Sequence, residues 1–307
     1  MTSDRNYPHV AALGAELAPL LNVSWRPGTY GPCNVSTIGR SPMSRMLWTS
    51  IACETPRGSA QTRSFGGTHW GRHWLVPSLI PPVECTVVSY GLSNEVSFEE
   101  ELLRLGCAGV GLDPTVKQPK ALNGTAIRFE QKGAPLLTGT PLKNQGKDPS
   151  MKASGSSGFK WTAISPVSAY RSIRLPDVDK DGKRTLILSA DRRKLDILKM
   201  DCEGCEYAIA SHVLREDPFF FRQVQQFNLE AHVDSNNLMT DAHLAGFEQL
   251  LELLHEAHLR LVHAEFGVCG AGKHMCLPSL LALGYPCSMT CQNLLFARLH
   301  EDTSGNG

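Results

Sequence analysis

Short apolar runs alternate along the chain with stretches in which apolar residues recur at helical spacing. Residues 85–90 form a β-branched apolar run, which is typical of a buried parallel strand. Residues 97–105 follow with helical spacing, and Ser97 with Glu100 three residues later predicts a capping box at the start of this helix. Residues 108–112 are again short and apolar, so the whole stretch predicts a strand–helix–strand unit.

The same alternation continues to residue 299. Five further runs predict strands, over residues 125–130, 195–200, 227–233, 259–265 and 293–299, and two amphipathic stretches predict helices over 206–214 and 244–257. We expect the last two strands to form an antiparallel hairpin. Because strands and helices alternate, the sequence predicts an α/β fold with a Rossmann-like, doubly wound, mostly parallel sheet of seven strands.

Segments rich in Gly, Pro and Ser flank and interrupt this pattern. The segment over residues 1–75 is expected to pack on the domain or to lie over its opening, with Trp70 and Trp74 anchoring its end. The segment over residues 139–158 is polar and predicts a flexible surface loop. The sequence therefore predicts an irregular N-terminal extension over 1–75, a domain over 76–300 with a flexible loop over 139–158, and a disordered tail over 301–307.

Charge and cysteine content narrow the class of function. Thirty Lys and Arg residues balance thirty Asp and Glu residues, so no global field attracts phosphate backbones and nucleic acid is not expected as a partner. No run approaches the ~20 apolar residues of a membrane span, and we recognise no targeting segment. Ten cysteines and sequons at Asn22, Asn34 and Asn123 suit a secretory lumen. The compartment, cytoplasm or lumen, and the oligomeric state stay open.

Candidate binding residues follow the first two predicted strands of the sheet. Ligands of such sheets bind at the carboxyl ends of the strands, where the strand order reverses. Gly91 permits a tight turn and a close approach of a ligand, and Ser93 and Asn94 offer short polar side chains. Asp113 lies twenty-two residues beyond Gly91 and can accept both ribose hydroxyls of an adenosine. The alternative for Asp113 is an Asp-Pro turn that starts the next loop.

Candidate catalytic residues follow the fourth predicted strand and lie within the fifth. The start of a helix favours negative charge, which is sufficient to explain Glu206. Asp201 and Glu203 stand at the mouth of the sheet, where they can hold a cationic group or orient a nucleophile. Glu230 and His232 share one face of a strand, so they form either a proton relay or a half-buried structural pair.

The cysteines allow several interpretations. Cys202 and Cys205 have the spacing of a redox motif, but Cys is also a common buried residue. A second group near the C-terminus can bind zinc, form disulfides or stay as free thiols: Cys269, His274, Cys276, Cys287 and Cys291. Because its spacing fits no standard zinc pattern, we assign no metal site.

Four motifs resemble those of known methyltransferases. Residues 196–206 read Asp-Ile-Leu-Lys-Met-Asp-Cys-Glu-Gly-Cys-Glu and resemble the D-[VIL]-[LI]-K-[IM]-D-[VC]-E-G-x-E motif of FkbM-type methyltransferases. They are more similar still to a related eukaryotic group of methyltransferase-like proteins. Residues 88–99, 106–114 and 226–232 resemble three further motifs of that group, in the same order and at the same spacing. The resemblance covers residues 85–300.

The resemblance implies a class I methyltransferase sheet, with the last strand antiparallel and S-adenosylmethionine as methyl donor. By position, the methionine end of the cofactor would be lined by Gly91, Ser93 and Asn94 and its ribose held by Asp113, while Asp201 and Glu203 would face the reacting centre. The chain would thus be an enzyme that methylates a small molecule, a glycan or a protein side chain.

Two points of the resemblance leave roles open. Ser89 stands where many methyltransferases have an acidic residue, and Glu95 or Glu99 is expected to substitute for it. A general base, where the acceptor needs one, would be Asp201, Glu203 or His232. The degenerate loop after the first strand favours one alternative, a methyltransferase fold that has lost catalysis and serves as an interaction module. An NAD-dependent oxidoreductase is disfavoured because G-x-G-x-x-G is missing.

Overall fold

The computed structural model describes residues 62–67, 72–137, 162–178, 184–188, 194–202, 204–232, 241–267 and 291–298. Its strands are β1 (Arg63–Phe65), β2 (His73–Leu75), β3 (Thr86–Tyr90), β4 (Ala108–Leu112), β5 (Ile127–Glu130), β6 (Arg174–Val178), β7 (Arg184–Leu188), β8 (Leu195–Met200), β9 (Val224–His232), β10 (Arg260–Gly267) and β11 (Cys291–Ala297). Its α-helices are α1 (Ser97–Arg104), α2 (Pro166–Arg171), α3 (Ile209–Glu216) and α4 (Asp241–Glu256). Each strand and each helix predicted from the sequence overlaps one of these elements.

Seven of the strands form one mixed sheet in the order β10-β11-β9-β8-β3-β4-β5. Strands β9, β8, β3, β4 and β5 are parallel neighbours, and β11 runs antiparallel to both β9 and β10. The mostly parallel α/β sheet and the antiparallel pair at its end are therefore confirmed. The strand order reverses at β3, because β4 and β5 follow on one side of it and β8 and β9 on the other.

Helices cover both faces of this sheet. Successive residues of a strand point to opposite faces, so neighbouring residues pack in different layers. Val88 and Leu198 point to the face that packs against apolar residues of α2, α3 and α4. Val87 and Ile197 point to the other face, where α1 and the two-stranded sheet of β1 and β2 supply the apolar partners. The β8 run is apolar almost throughout because both of its faces are covered.

The β1–β2 sheet was not predicted, because strands of three residues are too short to show a period. It lies where the sequence predicted the end of an irregular extension. Trp74 packs partly buried against the second core cluster, as predicted, and its ring stacks on His263 with centroids 4.0 Å apart. Trp70 and residues 1–61 lie outside the described residues, as do the predicted loop over 139–158 and the predicted tail over 301–307.

The predicted capping box of α1 is wrong. The N-cap residue is Val96, which makes no side-chain cap, while Ser97 is already inside the helix. The Ser97 N–H donates instead to the carboxylate of Glu95 at 3.0 Å, and the Ser97 hydroxyl accepts a hydrogen bond from the Gly67 N–H at 2.8 Å. Glu95 thus takes the capping role, and Ser97 is left to hold the β1 segment.

None of the described helices is long and apolar enough to cross a membrane.

Candidate functional site

The carboxyl ends of β3, β4 and β8 meet where the strand order reverses, which is the place where sheets of this kind bind ligands. Main-chain hydrogen bonds continue past the strand ends and join all three. The Gly91 N–H donates to the Leu112 oxygen at 2.9 Å, and the Asp201 N–H donates to the Tyr90 oxygen at 3.2 Å. The loops that leave these strands therefore start from fixed positions.

Gly91 is required by the close approach of the β8 end. Its φ of +74° lies in the left-handed region, and an added Cβ would stand 1.4 Å from the Asp201 carbonyl oxygen. The sequence analysis expected a ligand to approach this backbone. In the structure the Asp201 peptide occupies the side on which a Cβ would project, so Gly91 joins the ends of β3 and β8.

Asp113 ties the end of β4 to the loop after β3. Its Oδ2 accepts a hydrogen bond from the Ser93 N–H at 2.8 Å, and its Oδ1 accepts from the N–H and the hydroxyl of Thr115 at 2.7 and 2.6 Å. Ser93 has a φ of +52°, an uncommon conformation that this bond helps to hold. The structure thus brings the predicted binding loop and the predicted ribose carboxylate together, and it also supports the Asp-Pro turn that was the alternative.

The loop between them is apolar inside and polar outside. Leu92 is buried and packs with Val96 and Leu122. The Leu92 side chain lies over Gly111 of β4, where an added Cβ would stand 2.8 Å from it. Ser93 and Asn94 are exposed, so their side chains remain available to a ligand.

A buried lysine that the sequence analysis missed stands beneath this edge. Lys199 is 3% exposed, and its Nζ donates to the Gly91 oxygen at 2.5 Å and lies 3.8 Å from the Asp201 carboxylate. Lysine is rarely buried without partners. Its place inside an otherwise apolar strand run was the signal that could have revealed it, and the structure shows that it holds the turn after β3.

Ser89, Lys199 and Asn228 form a polar row across the sheet. Strand register pairs Ser89 with Lys199 and Lys199 with Asn228, so the three side chains share one face. The Ser89 hydroxyl donates to Oε1 of the buried Glu99 at 2.5 Å. The carboxylate of Glu99, from α1, therefore lies beside Ser89. The strand itself has no acidic residue at this position.

Burial shifts the pKa values of two groups near Lys199, Glu99 and His73, in opposite directions. Burial raises the pKa of Glu99, and the charge of Lys199 and the Ser89 hydrogen bond offset part of that rise. Burial and, after it, the charge of Lys199 hold the pKa of His73 well below its ordinary value, against a hydrogen bond to Asn228. His73 is thus neutral at neutral pH, and its Nδ1 lies 2.9 Å from the Asn228 Oδ1.

The acidic residues after β8 are only partly as expected. Asp201 is half-buried at the carboxyl edge, with its carboxylate 3.8 Å from the Lys199 Nζ. Glu206 is fully buried and accepts a hydrogen bond from the Gly204 N–H at 2.9 Å, so it closes the turn after β8. Glu203 lies outside the described residues. The backbone of His232 ends β9, but its side chain also lies outside them, so neither candidate can be placed.

Four of the cysteines form two disulfides in the described part of the chain. Cys85 is bonded to Cys107, and Cys202 to Cys205. Cys202, Cys205 and Glu206 offer ligand atoms within 4.8 Å of one another. Because the two sulfurs are bonded to each other, neither is the thiolate that metals bind, and we assign no metal to this group.

The carboxyl edge offers a ligand four kinds of contact. These are the exposed side chains of Ser93 and Asn94, the buried Asp113 carboxylate, the half-buried Asp201 carboxylate, and Cys202, a half-buried residue. A buried cation beneath them keeps the turn after β3 in place. No family model, no curated protein and no solved structure matches the chain, so the function of this edge is inferred from its geometry.

Proposed function

We propose that the chain is an S-adenosylmethionine-dependent methyltransferase. The observation that carries the proposal is the hydrogen bond between Asp113 and the turn at Ser93, at the point where the strand order of the sheet reverses. It joins the Ser93 turn and the Asp113 carboxylate, which would hold opposite halves of an adenosyl ligand, by one hydrogen bond. Seven strands with the β11 strand reversed also fit the class I methyltransferase fold that the sequence motifs imply.

The donors and acceptors at this edge fit the cofactor. A carboxylate has about four lone-pair sites, and Asp113, which is 4% exposed, uses three of them within the protein, so one site on Oδ2 has no protein donor. A second becomes open when the Thr115 hydroxyl rotates away. Two acceptor sites match the two hydroxyls of a ribose. The exposed Ser93 and Asn94 then remain for the amino-acid end of the ligand.

The bound cofactor would supply a methyl group carried on a cationic sulfur. The chain's own contribution would be position, because holding two reactants in line lowers the barrier by about 7–11 kcal/mol in favourable cases. Asp113 binds, Lys199 keeps the Gly91 turn in place, and the half-buried Asp201 carboxylate can orient an incoming acceptor group by accepting its hydrogen bond. The acceptor is a small molecule, a glycan or a protein side chain.

Asp113→Asn is expected to weaken the binding of S-adenosylhomocysteine by about 10- to 150-fold. The substitution removes a charge-assisted hydrogen bond to the ribose, which is worth about 1.5–3 kcal/mol. An Asn retains one side-chain oxygen for the turn, so the fold is expected to survive. Isothermal titration of wild type and variant measures the two dissociation constants.

Asp217→Asn is the matched control for this titration. Asp217 also accepts a hydrogen bond from the main chain two residues on, the Phe219 N–H at 3.0 Å, but it follows α3 at the opposite edge of the sheet. Its substitution is expected to leave the affinity unchanged. A wild-type protein that shows no heat at millimolar S-adenosylhomocysteine would refute the proposed function itself.

One observation favours a second candidate, a non-catalytic interaction module with this fold. Gly91 and Asp113 both make contacts within the protein, so the fold itself requires them even when no ligand binds. Cofactor binding without methyl transfer to any member of a broad acceptor panel is the result expected for such a module. Turnover of one acceptor would exclude it.

A further inference from the structure

The two disulfides in the described residues stand in different surroundings. Cys85 and Cys107 are at most 1% exposed and lie in an apolar cluster with Val87 and Phe98, and they join the starts of β3 and β4 across 22 residues. Cys202 and Cys205 are three residues apart, at the open carboxyl edge of the sheet. The chain thus carries a buried disulfide that can serve as an internal reference for an accessible one.

A structural role accounts for the first disulfide better than for the second. The stabilisation that a disulfide gives by restricting the unfolded chain grows with the length of the loop that it closes. The Cys202–Cys205 bond closes the smaller ring, and the main-chain bond from Asp201 to Tyr90 already fixes the end of β8. Its position at the edge therefore needs another explanation.

The two sulfurs of the second disulfide differ in access. Cys202 is half-buried at the edge, whereas Cys205 is 1% exposed. In thiol–disulfide exchange a thiolate attacks the sulfur that it can reach, and the other sulfur leaves. Attack is therefore expected at Cys202, with Cys205 as the leaving and later the resolving thiol.

A buried carboxylate stands beside both sulfurs. A carboxylate oxygen of Glu206 lies within 4.8 Å of the sulfurs of Cys202 and Cys205, and the residue is fully buried. A thiolate at Cys205 would be poorly solvated and close to this negative group. Glu206 can instead exchange a proton with the Cys205 sulfur, so that Cys205 is a neutral thiol at rest and a thiolate only while it attacks.

From this arrangement we infer that Cys202–Cys205 is a redox-active dithiol–disulfide site that exchanges with small thiols and their disulfides. A first small thiol gives its proton to the Glu206 carboxylate and its sulfur bonds to the Cys202 sulfur, the bond between the two cysteines breaks, and Cys205 leaves as it takes that proton from Glu206. A second thiolate then attacks the outer sulfur of this mixed disulfide and releases Cys202. Two small thiols are oxidised to one disulfide while the protein gains two electrons and two protons.

The inference does not depend on the proposed methyl transfer, and its test uses no cofactor. The oxidised full-length chain is equilibrated in buffers of reduced and oxidised glutathione, quenched with acid, alkylated and mapped by mass spectrometry. We expect the peptide with Cys202 and Cys205 to become alkylated while Cys85 and Cys107 stay bonded until denaturant is added. Equal reduction of both pairs, or reduction of neither before denaturation, would overturn the inference.

Single substitutions test the order of attack. In Cys205→Ser, glutathione disulfide is expected to form a mixed disulfide at Cys202 that accumulates, because the resolving thiol is gone. In Cys202→Ser, the buried Cys205 is expected to react at least about tenfold more slowly. Equal rates in the two variants would contradict the assigned roles.

Glu206→Gln tests the proton transfer. The variant keeps the size of the side chain and an oxygen that can accept the Gly204 hydrogen bond. Reduction by glutathione is expected to slow by about tenfold or more, because the leaving Cys205 sulfur loses its proton donor. An unchanged rate in a folded variant would remove Glu206 from the exchange.

Discussion

Gly91→Ala is expected to lower the free energy of unfolding by more than about 3 kcal/mol. Two costs add at this position. A φ of +74° strains any residue with a Cβ, and the added Cβ would stand 1.4 Å from the Asp201 carbonyl oxygen. Relief requires the ends of β3 and β8 to separate, which breaks the Lys199 bond to Gly91. Urea unfolding followed by circular dichroism measures the loss.

Gly106→Ala and Gly124→Ala separate the two costs. Both glycines have a positive φ, +83° and +71°, but an added Cβ meets nothing within 4 Å. These variants are expected to lose only the backbone strain, about 1–2 kcal/mol. If all three substitutions cost the same, the contact between Gly91 and Asp201 is not what makes the glycine necessary.

The strands and helices of the main sheet were predictable because local pattern determines them. Residues 195–200 show why: both faces of β8 are covered, so four of its six residues are apolar and the strand stands out from its polar flanks. The βαβ order then predicts a parallel sheet without any knowledge of distant contacts. The β1–β2 and β6–β7 sheets escaped prediction because short strands, one of them containing Pro176, carry little periodic signal.

The candidate site was predictable in position and less so in detail. The proximity of Ser93 and Asp113 follows from two neighbouring parallel strands that end at one edge. What surrounds them depends on residues about 100 positions later, such as the Asp201 carbonyl at Gly91. Glu95 or Glu99 was expected to substitute for the acid missing at Ser89, but neither the contact of Glu99 with Ser89 nor its burial with Lys199 was predicted. No local pattern encodes that coupling.

Lys199→Met is expected to lower the free energy of unfolding by about 3 kcal/mol at neutral pH. The substitution keeps the volume of the side chain but removes the donor to the Gly91 oxygen. It also removes the charge that offsets the burial of Glu99, so the carboxylate is left buried without a cation. Lys132→Met is the control, because the partly exposed Lys132 pairs with Glu130 at 2.7 Å and Glu130 keeps Arg128 as a second cation, so the loss is expected to be less than about 1 kcal/mol.

The loss in Lys199→Met is expected to shrink as the pH falls. Burial raises the folded-state pKa of Glu99 above its unfolded value, so the stability tied to its protonation is present below about pH 4 and lost as the pH rises through the folded pKa. Without Lys199 that pKa rises further, and the loss extends to higher pH. His73 acts in the same sense, because without the lysine its depressed pKa rises and acid destabilises the variant less than wild type.

A double-mutant cycle isolates the coupling between the two residues. Glu99→Gln removes the buried charge and keeps an oxygen for the Ser89 hydroxyl, so Lys199→Met is expected to cost less in the Glu99→Gln background than in wild type. The residual cost is the hydrogen bond to Gly91, which Lys199→Met removes in both backgrounds. Strictly additive losses that do not change between pH 5 and pH 7 would mean that Lys199 holds the turn through that hydrogen bond alone, and that the charge of Glu99 is balanced without it.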